Sequence, residues 1–294
     1  MTFDELLAKP IQTDGDFEAY VKALYDEWQG SRKGGAFPTA DRLDNYIEGI
    51  RRDMPPQFFG GRLDSPVVLL ALNPHADGEG GAKELLHEPF CSTWQDYWSY
   101  WQNFAHERYA DDGRVKQRYA GKQMPSSAYD NKLLSFFASA AGVTKDDGML
   151  AKQGWLGLEF IPLNSPDFAP RQIDGYLRQY VSRIVDVLFL YERKLVIILN
   201  GKLGKLLQES GTADFAVSKP EEKSFKVEKT DGTLSAGNCC VGRFELRRND
   251  GRTLRIVAAS SFAKQGLNGT PLEDYGRQAF MDEEKQILKE LLSR

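Results

Sequence analysis

Cysteine, histidine and long apolar runs are what this chain of 294 residues has least of. Its three cysteines, Cys91, Cys239 and Cys240, make an odd count with no spaced pairs. That argues against a disulfide framework and for a reducing, cytoplasmic setting. The adjacent Cys239 and Cys240 are expected on opposite faces of a strand. Three histidines, His75, His87 and His106, form no H-E-x-x-H pattern, so no metal site is expected. No apolar stretch approaches the roughly 18–20 residues of a membrane span. The opening MTFDELLAKPIQTDGDF has no continuous apolar core and is not read as a signal peptide. A net charge of −4 and a pI near 5.6 disfavour broad non-specific nucleic-acid binding, leaving a local basic groove as the electrostatic route to such a partner.

What is present is ordinary globular material, 41% hydrophobic and 27% charged. Residues 1–62 read as helical decoration: Phe17, Tyr20, Val21, Ala23, Leu24 and Trp28 recur near helical spacing, and Thr39 or Asp41 is expected to cap a second helix through Arg52. Met54-Pro55-Pro56 stops that helix. Four continuous apolar runs then suggest strands covered on both faces: 67–72, 158–163, 195–199 and 254–259. Helices expected at 93–109, 127–141, 171–192 and near 202–209 separate most of them, the order that parallel crossover units produce. Residues 211–253 have a different texture, with turns at Asp231-Gly232 and Asp250-Gly251 among alternating segments, and read as a hairpin insertion. The stretch 273–294 reads as one amphipathic helix. The expectation is a single three-layer α/β/α domain over 1–294, with a central, mostly parallel four-stranded sheet and a β-hairpin insertion.

In open α/β sheets ligands bind beyond the carboxyl ends of the strands. Here those ends carry Asn73-Pro74-His75, Asn164-Ser165-Pro166, Asn200-Gly201-Lys202 and Ser260-Ser261-Phe262-Ala263-Lys264. Amides and hydroxyls with little fixed charge suit a neutral polar ring, such as a nucleobase, better than a polyphosphate. The Gly78-Glu79-Gly80-Gly81 segment matches no phosphate-cradling motif, and Asp77, Glu79 and Glu84 beside it would repel phosphate. No G-x-S-x-G elbow is present.

In character and order this series resembles the uracil-DNA glycosylase superfamily. Asn73-Pro74-His75 is similar to the first motif, whose leading residue positions the attacking water. Phe90-Cys91-Ser92 stands where members place the aromatic that stacks on the extruded base. Phe160 to Asn164 resembles the strand whose terminal Asn reads the base edge. Leu195 to Gly204 resembles the strand–glycine–helix step that follows. Ala258 to Leu267 stands where members carry a His-Pro-Ser loop. The resemblance covers roughly residues 65–270. It implies a uracil-DNA glycosylase-like fold that recognises, and slowly excises, a nucleobase from DNA by N-glycosidic hydrolysis, without cofactor or metal. The implied catalytic residues are Asn73 and Ser260 or Ser261; the implied substrate-binding residues are Pro74, His75, Phe90, Asn164 and Lys264. The sequence departs from the family in having Asn at the first motif and no histidine or proline in the last, and its three cysteines do not supply an iron–sulphur cluster. Losing one electrostatic donor to a leaving group typically costs about 10²–10³ in rate, hence the slow chemistry.

Two other readings stand beside it: a catalytically inactive nucleic-acid or nucleotide binding module on the same fold, and an α/β enzyme acting on a small metabolite. Trp94, Trp98 and Trp101, with Tyr97 and Tyr100, read either as a helix packed on the core or as an aromatic lid over the pocket. Arg243, Arg247, Arg248, Arg252 and Arg255, with Lys264 beyond, read either as structural cations or as a track for a DNA backbone.

Overall fold

The structure, a computed structural model, describes residues 1–72, 74, 90–102, 128–144, 154–166, 175–199, 201–209, 215–228, 231–235, 238–259 and 272–293. The chain opens with α1 (Phe3–Leu7) and α2 (Asp14–Ser31), each started by a reciprocal capping box, Thr2 with Glu5 and Thr13 with Asp16. Phe17, Tyr20, Val21, Leu24, Tyr25 and Trp28 form the buried stripe of α2. The following helix, α3 (Pro38–Leu43), starts and ends earlier than the sequence suggests. Thr39 is no cap: its hydroxyl and its N–H both donate to the Glu27 carboxylate on α2. Beyond Leu43 the chain folds back so that Arg52 pairs with Asp41 and Asp44, and Gly49, at φ +72°, takes a conformation that ends any helical run.

The fold is α/β, and its sheet corrects the expectation of four strands. Among the described residues eight strands join in one mixed sheet: β1 (Phe59–Gly60), β2 (Val67–Ala71), β3 (Leu156–Glu159), β4 (Leu195–Ile198), β5 (Phe215–Val217), β6 (Glu221–Phe225), β7 (Cys239–Arg248) and β8 (Thr253–Ala259). The order is β1-β3-β2-β4-β8-β7-β5, with β6 also on β7. The pairs β3/β2, β2/β4 and β4/β8 are parallel; β1 and the β5–β7 group add antiparallel edges. Within the segment read as a hairpin insertion, β5, β6 and β7 are antiparallel additions to this sheet that lead into β8. The ten-residue β7 pairs with β8 through seven positions across the Asp250-Gly251 turn, where Gly251 sits at φ +86°.

Period-two alternation divides the central strands between two apolar layers. Val68, Leu70, Val196, Ile198 and Ile256 face the layer built on α1, α2, α3, α4 (Trp94–Gln102), α6 (Gly175–Leu188) and α7 (Gly201–Glu209). Val67, Leu69, Leu195, Ile197 and Val257 face α5 (Ala128–Ala141), α8 (Leu272–Ala279) and α9 (Asp282–Leu292). The last two helices replace the single helix expected at 273–294. The break falls at buried Phe280 and extended Met281, whose N–H donates to Glu284 at 2.8 Å. As the doublet Cys239-Cys240 implies, one side chain is buried and the other exposed. Burial pushes the Cys239 thiol up to about 11, away from nucleophilic chemistry near neutrality.

Among the described residues two buried ion pairs brace the fold, one within the first layer and one between β7 and the second. Arg183 and Asp186 on α6 meet at 3.0 Å, and Arg183 also donates to the Leu7 carbonyl while Asp186 accepts from the Ile11 N–H. Arg243 on β7 forks onto Glu284 on α9 at 2.8 and 2.7 Å and donates to the Ala279 carbonyl. Among the described residues no helix is long and apolar enough to cross a membrane.

Candidate functional site

Because β3, β2, β4 and β8 run parallel, their carboxyl ends share one rim of the sheet. In chain order these four strands are arranged second, first, third, fourth, so the order reverses at β2, with β3 on one side and β4 on the other. In open α/β sheets ligands gather at such a reversal; here it falls between β2 and β4, and α7 begins at Gly201 after β4.

The ends of β2 and β3 come together past their regular ladder. The Phe160 N–H donates to the Ala71 carbonyl at 2.9 Å, the Ile161 N–H to Leu72 at 2.8 Å, and the Ser165 N–H to Pro74 at 3.2 Å. Buried Pro74 thus lies alongside Asn164, which is 4% exposed. Of the residues singled out in the sequence, these two are brought side by side. Asn73, His75, Ser260, Ser261 and Lys264 lie outside the described residues, as do Asn200 and the Gly78–Gly81 segment.

The segment 51–57 drapes over this rim. The Arg51 N–H donates to the Asn164 carbonyl at 2.8 Å, and the Gln57 N–H to the Pro162 carbonyl at 2.7 Å. The Asn164 side chain returns the contact: its Nδ2 donates to the Pro55 carbonyl at 3.1 Å. That bond fixes the amide, because the flipped orientation would set two acceptors against each other. One N–H of Nδ2 is used, and among the described residues no donor meets Oδ1. Asn164 therefore offers one acceptor and one donor in a fixed order. The Arg51 guanidinium, bonded to Asp53, holds the Asp53 carboxyl below its ordinary range, so this cover carries a paired charge.

Phe90 is placed differently from an open stacking platform. It is 1% exposed and its ring stacks on Tyr100, centroids 5.0 Å apart and planes 15° from parallel. Of the aromatic stripe on α4, Tyr97, Tyr100 and Trp101 are buried in the first apolar layer, while Trp94 and Trp98 are partly buried against it. The stripe is core and not a lid. From this stripe the Tyr97 hydroxyl reaches toward the rim and donates to the Pro56 carbonyl at 2.6 Å. Burial raises the Tyr97 pKa well above its ordinary value, so the hydroxyl stays a donor.

The arginine track is corrected. Arg247 lies in register with Thr253, the first residue of β8, and Arg248 and Arg252 flank the turn there, at the rim opposite the strand carboxyl ends. Arg243 is buried on Glu284, Arg248 meets Asp186 and Asp250, Arg252 meets Asp250, and Arg255 meets Glu283. These cations neutralise neighbouring acids and leave little field for a phosphate backbone. An open cavity of about 540 Å³ lies elsewhere, between the end of α2 and the start of α3; Arg32, Asp41, Arg52 and Asp53 line it with balanced charge.

The sequence pointed to Asn164 by its place after an apolar run. It gave no direct sign of the Pro55 carbonyl or of Tyr97; the Pro-Pro step and the dense aromatics of α4 were the available signals. Among the described residues no group of three or more His, Cys, Asp or Glu could hold a metal ion. No protein-family model and no curated protein sequence matches this chain.

Proposed function

We propose that this protein recognises a nucleobase in DNA at the rim where Pro74 lies beside Asn164, as a divergent uracil-DNA glycosylase-like protein, and excises it slowly by N-glycosidic hydrolysis. The observation that carries the reading is the Asn164 amide: almost fully buried, oriented by the Pro55 carbonyl, and presenting Oδ1 with no donor opposite among the described residues. An imide edge such as that of uracil complements it, with N3–H donating to Oδ1 and O4 accepting from the remaining N–H of Nδ2. The second, first, third, fourth order of the parallel strands supports the same rim as the binding face. In this reading Asn73 positions the water, and Ser260 or Ser261 assists the leaving base at O2. His75 and Lys264 contact the nucleotide. Phe90 stacks on the base only after its ring leaves Tyr100.

A catalytically inactive binding module on the same fold is favoured by that burial of Phe90 and by an amide, which cannot take a proton from water, at the first strand end. The deciding experiment measures free base released from oligonucleotides carrying uracil or a mismatch, for the wild type and for Asn73→Ala and Asn164→Ala. Slow release, reduced about 10²-fold or more in either variant, supports excision. Binding at low salt that Asn164→Ala abolishes, without release, supports the module. Neither release nor binding above a thymine control refutes both.

A further inference from the structure

The side chain that reads a base must hold its donor and acceptor in a fixed order, and here that order is set by a main-chain carbonyl. Pro55 and Pro56 have no N–H, so the carbonyls of this doublet are its polar handles. One accepts from Asn164 Nδ2 at 3.1 Å and the next from the Tyr97 hydroxyl at 2.6 Å. The ends of the strap are held by the Arg51 and Gln57 N–H groups on the Asn164 and Pro162 carbonyls. Tyr97 itself is 1% exposed, with its ring 4.8 Å from Tyr25 and 6.3 Å from Trp101. A rigid buried phenol on α4 thus fixes the middle of a strap whose next carbonyl orients Asn164.

We infer that Tyr97 is a positioning residue for the specificity of this site: by holding Pro56 it holds the Pro55 carbonyl that sets the Asn164 amide, and so selects an imide edge over an aminopyrimidine edge. Without the hydroxyl, the strap relaxes, the amide rotates, and the site accepts either order of donor and acceptor. The inference rests on the nucleobase reading for its consequence, and on the hydrogen bonds alone for its mechanism. Those two parts are separately measurable.

The test compares full-length wild type with Tyr97→Phe and with Tyr25→Phe. The second variant removes a buried hydroxyl from the same aromatic cluster, but one that donates to the Cys91 carbonyl and not to the strap. The first readout is hydrogen exchange of the Asn164 side-chain amide by NMR, identified by its absence in Asn164→Ala. The second is binding of single-stranded oligonucleotides carrying one deoxyuridine or one deoxycytidine, by fluorescence anisotropy. Tyr97→Phe is expected to lose the slow-exchanging amide proton and about 10-fold of the uracil-over-cytosine preference, while Tyr25→Phe keeps both. Unchanged amide exchange in Tyr97→Phe overturns the inference, whatever the protein binds. Equal losses in both variants overturn it too, since they would reflect general loosening of the cluster. If Tyr97→Phe alone loses the slow proton but the wild type never prefers uracil, the positioning stands and the nucleobase reading falls.

Discussion

Replacing Arg243 by methionine strands a carboxylate inside the protein. Glu284 is 1% exposed and receives two N–H bonds from the guanidinium, at 2.8 and 2.7 Å, besides one from the Met281 N–H. Removing the arginine leaves that one bond to hold a buried charge. Truncating one partner of such a pair typically costs about 3–5 kcal/mol. The Ala279 carbonyl loses its donor as well, which sets the expectation toward the upper part of that range. Arg243→Met/Glu284→Leu removes the stranded charge. What remains is the loss of bonds to Ala279 and Met281, each worth about 1 kcal/mol, offset by new apolar contact. The double variant should therefore be at least about 2 kcal/mol more stable than Arg243→Met, against the ordinary trend for added substitutions. Urea unfolding followed by circular dichroism reads this directly. With a slope of about 3 kcal/mol/M, the single substitution lowers the midpoint by roughly 1–1.7 M, and the double recovers most of it. If Arg243→Met shifted the midpoint by under about 0.3 M at unchanged slope, or the double variant were the less stable of the two, the pair could not be the buried link between β7 and α9 described above.

A Cβ added at Gly276 would sit 2.4 Å from the Phe136 carbonyl oxygen, so α8 and α5 must separate to admit it. Gly276→Ala is expected to destabilise by about 1–3 kcal/mol although alanine is the better helix former, and a raised melting temperature would contradict the close crossing. At the start of α2, bonds from the Thr13 hydroxyl and the Gln12 and Thr13 N–H groups hold the Asp16 carboxyl below its ordinary range. A depressed folded-state value means its stabilisation is complete above the unfolded value of about 4 and is lost as pH falls through the lower folded value. Asp16→Asn should thus cost about 1 kcal/mol at neutral pH, with the gap to wild type closing on acidification below about pH 4. A gap that widened on acidification would contradict the cap.

Of the parallel strands, β2 and β4 were the most legible, because they bury nearly every position and read as unbroken aliphatic runs, whereas β8 alternates and β3 lies at Leu156–Glu159, earlier than the run 158–163. Their spatial order was not legible, because it is decided by crossover connections and not by the strands' own residues. The antiparallel addition within 211–253 was legible in kind, from its turns and its alternation, but not in extent. In β7 buried Phe244 and Leu246 alternate with exposed Glu245 and Arg247, and a charged, alternating segment looks the same in a free hairpin and at the edge of a larger sheet. Arg243 looked like a surface cation because its partner lies 41 residues further on. Asn164 was visible as the residue after an apolar run, although β3 itself ends at Glu159, and the group that orients it is 109 residues away and belongs to the main chain. A carbonyl has the same chemistry in every residue, so no residue type announces it. What a sequence can show is the removal of competing donors at Pro55-Pro56 and a nearby hydroxyl able to hold the resulting acceptors in place. If the proposed selectivity is built this way, it should tolerate changes at Pro55 that keep the backbone path, and should not tolerate loss of the Tyr97 hydroxyl, which bonds to the strap and not to Asn164.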